Sequence, residues 1–151
     1  MAYIPKDAEW YIAELVIECN IEGNPHNVIH VNIVLVRASS PEDAFEKAEE
    51  LGYQSNDTYL NPKNQTVTFT YRGLRHLDVI HDELEHGAEL MFEEKIGICE
   101  SELQQILTPK SQLAIFRPLK PVDSSKPDYT SKEIMDEVAK MMSGDSVIER
   151  L

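Results

Sequence analysis

The feature that most constrains this chain is a two-residue periodicity of apolar side chains near its N-terminus. Between residues 11 and 21 every odd position is apolar, whereas Glu14 and Glu18 occupy even positions. A period of two predicts a β-strand with one solvent-facing side. Turn-forming residues at 22–27 lead to a second apolar run at 28–36. We therefore expect the two runs to pair as antiparallel strands.

A helix is predicted directly after this pair. The sequence Ser-Ser-Pro-Glu-Asp at 39–43 supplies a hydroxyl cap, a proline whose missing N–H costs nothing there, and carboxylates that face the positive end of the helix dipole. An apolar stripe follows at Ala44, Phe45, Ala48 and Leu51. Gly52 is placed to terminate the helix, which is therefore predicted over residues 41–51.

A second hairpin is predicted from a strand at 58–60, a turn at 61–64 and a strand at 66–71. Gly73 is expected either to end this strand or to form a bulge in it. Beyond it, we expect residues 74–80 to form an irregular segment or a short helix.

The middle of the chain gives shorter patterns. Residues 87–92 are typical of a short strand, with Ala88, Leu90 and Phe92 facing inward. A short helix is predicted at 100–107, and residues 113–116 are expected to form one more strand.

Together these patterns predict an α+β fold, with an antiparallel sheet of about four to five strands, one main helix packed on one face and a C-terminal helical tail. We expect a domain over 1–119, a linker over 120–130 and an amphipathic helix over 131–151. The apolar stripe of that helix comprises Ile134, Met135, Val138, Met141 and Met142. Because so short a helix is unstable alone, its stripe either closes its own domain or docks on a partner or second subunit.

The charge is strongly negative and unevenly distributed. With 27 acidic and 14 basic side chains, the formal net charge is −13, which argues against a nucleic-acid partner because phosphate contacts need clustered Lys and Arg. Seven acidic side chains between residues 77 and 94 occur without one Lys or Arg. Such a field either keeps the protein soluble or favours a basic protein surface.

Two features bear on the cellular compartment. The N-terminal residues do not form a secretory signal, and the apolar runs are too short to cross a bilayer. Cys19 and Cys99 lie far apart without neighbours at metal-binding spacing, so we interpret both as reduced, packed thiols. We expect a cytoplasmic protein without a membrane segment.

The densest set of ligand-forming side chains lies between His76 and His86, and its candidate metal ligands are His76, His81 and His86. The five-residue spacing of the last two would place them about 140° apart on a helix, whereas zinc-binding helices use three or four residues. We therefore interpret the segment as a solvated acidic loop, with a metal site as the alternative. Catalytic motifs and phosphate-binding glycine loops are missing from the sequence, so we expect no cofactor.

Several short motifs in order resemble a bacterial family catalogued as domain of unknown function 4288. They are Trp10-Tyr11, the segment from Ala38 to Ala48, Leu51-Gly52, Tyr59-Leu60-Asn61, Val67-Thr68-Phe69 and the segment from Glu83 to Leu90. The resemblance covers residues 10–95. It implies a small α+β domain with no assigned activity and no agreed catalytic residues.

We therefore expect a non-catalytic protein-binding or self-associating module, either a homodimer or bound to an unidentified protein. Its contacts would use a sheet edge, the acidic strip formed by the seven carboxylates between residues 77 and 94, or the tail helix. The candidate contact residues are Trp10, Tyr11, Met135, Val138, Met141 and Met142. Two alternatives remain open, a small metal-dependent hydrolase that uses the His76–His86 cluster and an immunity-like inhibitor of a basic toxin.

Overall fold

The computed structural model describes residues 3–121 and 123–143. It confirms the α+β class, with four antiparallel strands, one main helix and a C-terminal helix. In chain order the elements are β1 (Trp10–Ile21), β2 (Val28–Arg37), α1 (Pro41–Gln54), β3 (Asp57–Leu60), β4 (Thr66–Val79), α2 (Glu100–Ile106) and α3 (Lys132–Met142). No helix among the described residues is both long and apolar enough to cross a bilayer.

The strands form one sheet in the order β2-β1-β4-β3, in which every neighbouring pair is antiparallel. The alternation that predicted β1 determines which side of the sheet is buried. Directly opposed residues point to the same face, so Tyr11 of β1 lies beside Val36 of β2 and Val79 of β4. We call this the inner face, and the opposite one the outer face.

The inner face carries two adjoining apolar clusters. The first lies beneath α1 and includes Ala13, Leu15, Ala44 and Ala48. The second lies toward the other end of β1 and contains Cys19, Ile21 and Val67, with Tyr59 and Phe69 packed against it. Burial raises the pKa of the Cys19 thiol, and this cysteine is packed as expected, whereas Cys99 is exposed, so the expectation that it is packed is wrong.

Strand β4 extends to Val79, so the expectation of an irregular segment or short helix at 74–80 is wrong. The reason is two register shifts against β1. Each inserts an extra residue, Arg72 before Gly73 and Arg75 after Leu74, and an extra residue reverses the alternation of the side chains that follow. The predicted bulge at Gly73 is confirmed, and its φ of 142° suits glycine.

The start of α1 is as predicted. The Ser40 hydroxyl accepts a hydrogen bond from the Asp43 N–H at 3.1 Å, while the Asp43 carboxylate accepts one from the Ser39 N–H at 3.0 Å. That backbone hydrogen bond, together with Lys47, lowers the pKa of Asp43. Both contacts satisfy N–H groups that an uncapped helix start leaves free.

The end of α1 differs from the prediction, because Gly52 does not terminate the helix. The helix continues to Gln54 and is capped by Ser55. Gly52 is instead a packing residue, since a Cβ atom there would lie 2.4 Å from the Tyr71 ring. The missing side chain allows α1 to approach β4 closely.

Two further predictions are wrong. Residues 87–92 form no strand, and residues 113–116 lie in two short 3₁₀ turns, Lys110–Gln112 and Ala114–Phe116. A strand needs a neighbouring strand to satisfy its backbone groups, and neither segment has one among the described residues. The helix predicted at 100–107 is present as α2.

Candidate protein-interaction surfaces

The structure separates the three histidines that the sequence groups together. His76 lies in β4 opposite Glu14, whereas His81 and His86 are exposed in the segment that follows. The His81 ring stacks on Tyr3 with 6.2 Å between ring centroids. Among the described residues, no three His, Cys, Asp or Glu side chains gather into a group that could hold a metal ion.

Two hollows lie beside this segment. One, of about 380 Å³, is formed by residues 5–10 and 80–84. The other, of about 270 Å³, includes His76, Asp82 and Glu89, and here the Asp82 carboxylate accepts a hydrogen bond from the Glu89 N–H at 2.9 Å. That bond stabilises a turn, which gives the carboxylate a structural role in the loop.

The two aromatic candidate contacts have different environments. Tyr11 is only 3% exposed and lies in the core with Val36 and Val79, so the structure places it inside the domain and away from any surface. Trp10 is half-buried, and the Arg37 guanidinium lies over its ring at 5.6 Å. Only Trp10 of the pair can contact another molecule from the folded state.

The largest uncovered apolar surface lies beyond the sheet, in residues 81–121, which we call the arm. After Ile80, whose N–H donates to the Trp10 carbonyl at 2.9 Å, the arm contains no buried residue. Ile96 and Ile115 are each 85% exposed, and Leu119 is fully exposed. The other exposed large apolar side chains of the arm are Leu84, Leu90, Met91, Phe92, Leu103, Ile106, Leu107, Leu113 and Phe116.

The charge of the arm changes sign along its length. Residues 81–94 contain six acidic and no basic side chains, a net charge of −6, whereas residues 95–121 contain four basic and two acidic ones, a net charge of +2. The arm as a whole is acidic, and only its part from residue 95 onward is apolar and weakly basic. The chemistry of that part complements the surface of the domain that precedes the arm.

The segment before α3 returns to the sheet and is anchored there. The buried Asn61 amide donates to the Asp128 carbonyl at 3.1 Å, and the Tyr59 hydroxyl donates to the Tyr129 carbonyl. The Tyr129 ring packs edge-on against His30 at 5.1 Å. Burial raises the pKa of Tyr59, and the nearby Cys19 adds to the increase. Part of the expected linker is thus docked on the second cluster of the inner face.

Helix α3 begins beside β3, and the apolar side chains of its stripe are partly exposed. Ser131 caps the helix by accepting from the Ile134 N–H, and the Lys132 ammonium donates to the Asn64 side chain at 2.8 Å. The apolar side chains of its stripe are 38% to 81% exposed. They are the predicted residues Ile134, Met135, Val138, Met141 and Met142. The remainder of the helix predicted to residue 151 lies outside the described residues.

Strand β2 carries a candidate interaction surface that the sequence analysis named only as a sheet edge, without its residues. It is one of the two edge strands, and Ile29, Ile33 and Leu35 are 51%, 58% and 45% exposed on the outer face. We call these three residues the β2 stripe. The signal was present in the sequence, because residues 33–36 are apolar at both odd and even positions, as expected for a strand covered on both faces.

Comparison with known proteins supports the domain and leaves its activity open. No curated protein and no solved structure matches the chain. One family model matches residues 10–92, which is 83 of the 151 residues and spans the whole sheet, α1 and the first part of the arm. The chain therefore belongs to the family described as a domain of unknown function, DUF4288.

Proposed function

We propose that this protein is a non-catalytic, self-associating module whose arm contacts a second copy of the chain. The observation that carries the proposal is the uncovered apolar surface of the arm. A monomeric protein rarely exposes so many large apolar side chains together, and such surfaces mark interaction sites. Burying one of them fully contributes about 1.5–3 kcal/mol.

The charge distribution favours a second copy as the partner. Residues 95–121 of the arm have a net charge of +2, whereas residues 1–80, which form the domain, have −6. Docking residues 95–121 on the domain of another copy pairs opposite charges, and the reciprocal contact gives a closed twofold dimer. The exposed side chains of Ile134, Met135, Val138 and Met142 on α3 add apolar area to the same assembly.

The experiment is a mass measurement by light scattering on the full chain across a range of concentrations. We expect a dimer, about twice the 17.2 kDa of one chain. Ile96→Asp and Ile115→Asp should shift the protein to monomer, because charging a side chain that becomes buried is costly. Gln54→Asp, at the exposed end of α1 and outside the arm, is the control and should stay dimeric. A wild-type protein that is monomeric at every concentration would refute the proposal.

A second candidate function rests on the acidic strip. Its seven carboxylates are all exposed, and none forms an ion pair with Lys or Arg among the described residues. The strip is made of Asp78, Asp82, Glu83, Glu85, Glu89, Glu93 and Glu94. This arrangement suits an inhibitor of a basic protein such as a toxin. Its test is co-purification from the source cell at low salt, with a basic partner that salt releases. Purification without any partner would count against it.

A further inference from the structure

The edge of β2 that does not pair with β1 is free to pair with an added strand. Ten residues long, β2 pairs with β1 through a continuous register without a bulge. It contains no proline and no carboxylate, and its one formally charged residue, Arg37, is at its end. Natural edges are usually blocked by shortness, charge, proline or a bulge. The opposite edge, β3, has four residues and begins with Asp57.

Residues 88–94 of the arm have the sequence of a strand, and they pair with no strand in the part of the chain that the structure describes. Ala88, Leu90 and Phe92 alternate with polar or flexible side chains. Leu90 and Phe92 are 43% and 71% exposed. Among the described residues, the backbone N–H groups of 90–94 make no hydrogen bond. The segment therefore offers unsatisfied donors to an edge strand.

The two surfaces are complementary, and we propose that residues 88–94 of one copy pair with the outer edge of β2 in a second copy. This inference rests on the proposed self-association. The apolar side chains of the segment would lie next to the β2 stripe on the outer face. Its glutamates would meet a strand that has no carboxylate and contains His30 and Arg37, so the pairing brings no like charges together.

The arm leaves the sheet at the end of β4, and among the described residues of one chain the segment 88–94 is not paired with the free edge of β2. We therefore assign the segment to the edge of a second copy. Exchange between two copies uses each arm and each edge once and leaves neither surface uncovered. The added strand makes main-chain hydrogen bonds to the edge, and the alternate side chains fill the apolar stripe.

The experiment compares single variants with a mixture of them, using full chains and sedimentation velocity. Phe92→Asp damages the donor segment, and Ile33→Asp damages the receiving edge. Each alone should weaken the dimer about tenfold or more. Thr58→Asp on β3 is the control and should leave the dimer unchanged. Both damaged side chains are more than half exposed, and circular dichroism with Leu90→Asp and Ile29→Asp as second variants checks that loss of folding is not the cause.

The mixture gives the decisive result. In a heterodimer of Phe92→Asp with Ile33→Asp, one intact arm meets one intact edge, so the mixture should form more dimer than either variant alone. A mixture without such rescue would overturn the exchange, as would variants that dimerise like the wild type. In either case the proposed self-association would still stand if the wild-type protein is a dimer. A monomeric wild type would overturn both the self-association and the strand exchange, and docking of residues 88–94 on the β2 edge of their own chain would give this result.

Discussion

The close packing of Gly52 against Tyr71 predicts that Gly52→Ala lowers the free energy of unfolding, whereas helix propensity alone predicts an increase. Replacing a helix-interior glycine with alanine ordinarily stabilises a protein by about 0.5–1 kcal/mol. Here the new Cβ atom would lie 2.4 to 2.6 Å from three atoms of the Tyr71 ring. Normal contacts are about 3.5–4.0 Å, so helix or ring must move by about 1 Å.

The ring has little freedom to move. Tyr71 is a buried strand residue, and Tyr53 packs edge-on against it at 5.1 Å. Overpacking of this kind costs about 1–3 kcal/mol, so Gly52→Ala should lower the free energy of unfolding by about 1–2 kcal/mol after the helix-propensity gain is subtracted. The midpoint of thermal unfolding should fall by about 2–8 °C, as expected for a chain of 151 residues.

A double-mutant cycle measured by urea denaturation tests the cause. In a Tyr71→Leu background the clash is removed, and Gly52→Ala should become neutral or stabilising. Gln54→Ala, at the exposed end of the same helix, is the control and should change the free energy of unfolding by less than about 0.5 kcal/mol. If Gly52→Ala stabilises the wild-type protein, the close packing of α1 on β4 is refuted.

Three further outcomes follow from the contacts of the domain. Arg75→Ala should destabilise the protein by about 1–3 kcal/mol in urea denaturation, because it leaves the buried Glu14 carboxylate without its 2.5 Å partner. The control Arg72→Ala removes a 3.8 Å ion pair on the surface and should cost less than about 1 kcal/mol. Equal losses of stability in the two variants would contradict this role of Arg75. Asn61→Ala should cost about 2–4 kcal/mol, since its buried amide makes four hydrogen bonds, and an unchanged urea midpoint would show that they are not formed. Folding lowers the pKa of Asp43, so the stability that this carboxylate contributes is present above its unfolded-state pKa of 3.8 and is lost as the pH falls through its folded-state pKa. The difference in unfolding free energy between wild type and Asp43→Asn should therefore shrink on acidification. A difference that grows would contradict the assignment.

The strands that alternate regularly could be predicted from the sequence, and those interrupted by bulges could not. In β1 a single period of two runs through the whole strand. In β4 the extra residues Arg72 and Arg75 shift the pattern twice, so Tyr71, Leu74 and Leu77 lie three residues apart, although all three are on the inner face. Sequence periodicity cannot register a residue that is skipped by the pairing.

The helix shows the same limit at its C-terminal end. Its capping residues act locally and were predicted correctly at Ser40 and Asp43. Gly52 was expected to act locally as well, as a helix terminator. Its role depends on Tyr71, nineteen residues further along the chain, and a contact at that distance has no local signature in the sequence.

The interaction surfaces divide similarly. The stripe of α3 and the acidic strip are periodic or compositional features, and the sequence alone revealed both. The β2 stripe required the sheet order, because only the position of β2 at the edge leaves Ile33 uncovered. Likewise, the sequence predicted a strand at 87–92 without showing that this segment lacks a neighbour in its own chain.

The central claim, that the arm is covered by a second copy, is tested most directly by hydrogen exchange of the backbone amides of residues 90–98 at a series of protein concentrations. These amides make no hydrogen bonds with the described residues of their own chain, so a monomer should exchange them rapidly. We predict slow exchange at high concentration that becomes rapid on dilution, in parallel with the amides of β2 that face its open edge. Rapid exchange at every concentration would contradict the claim.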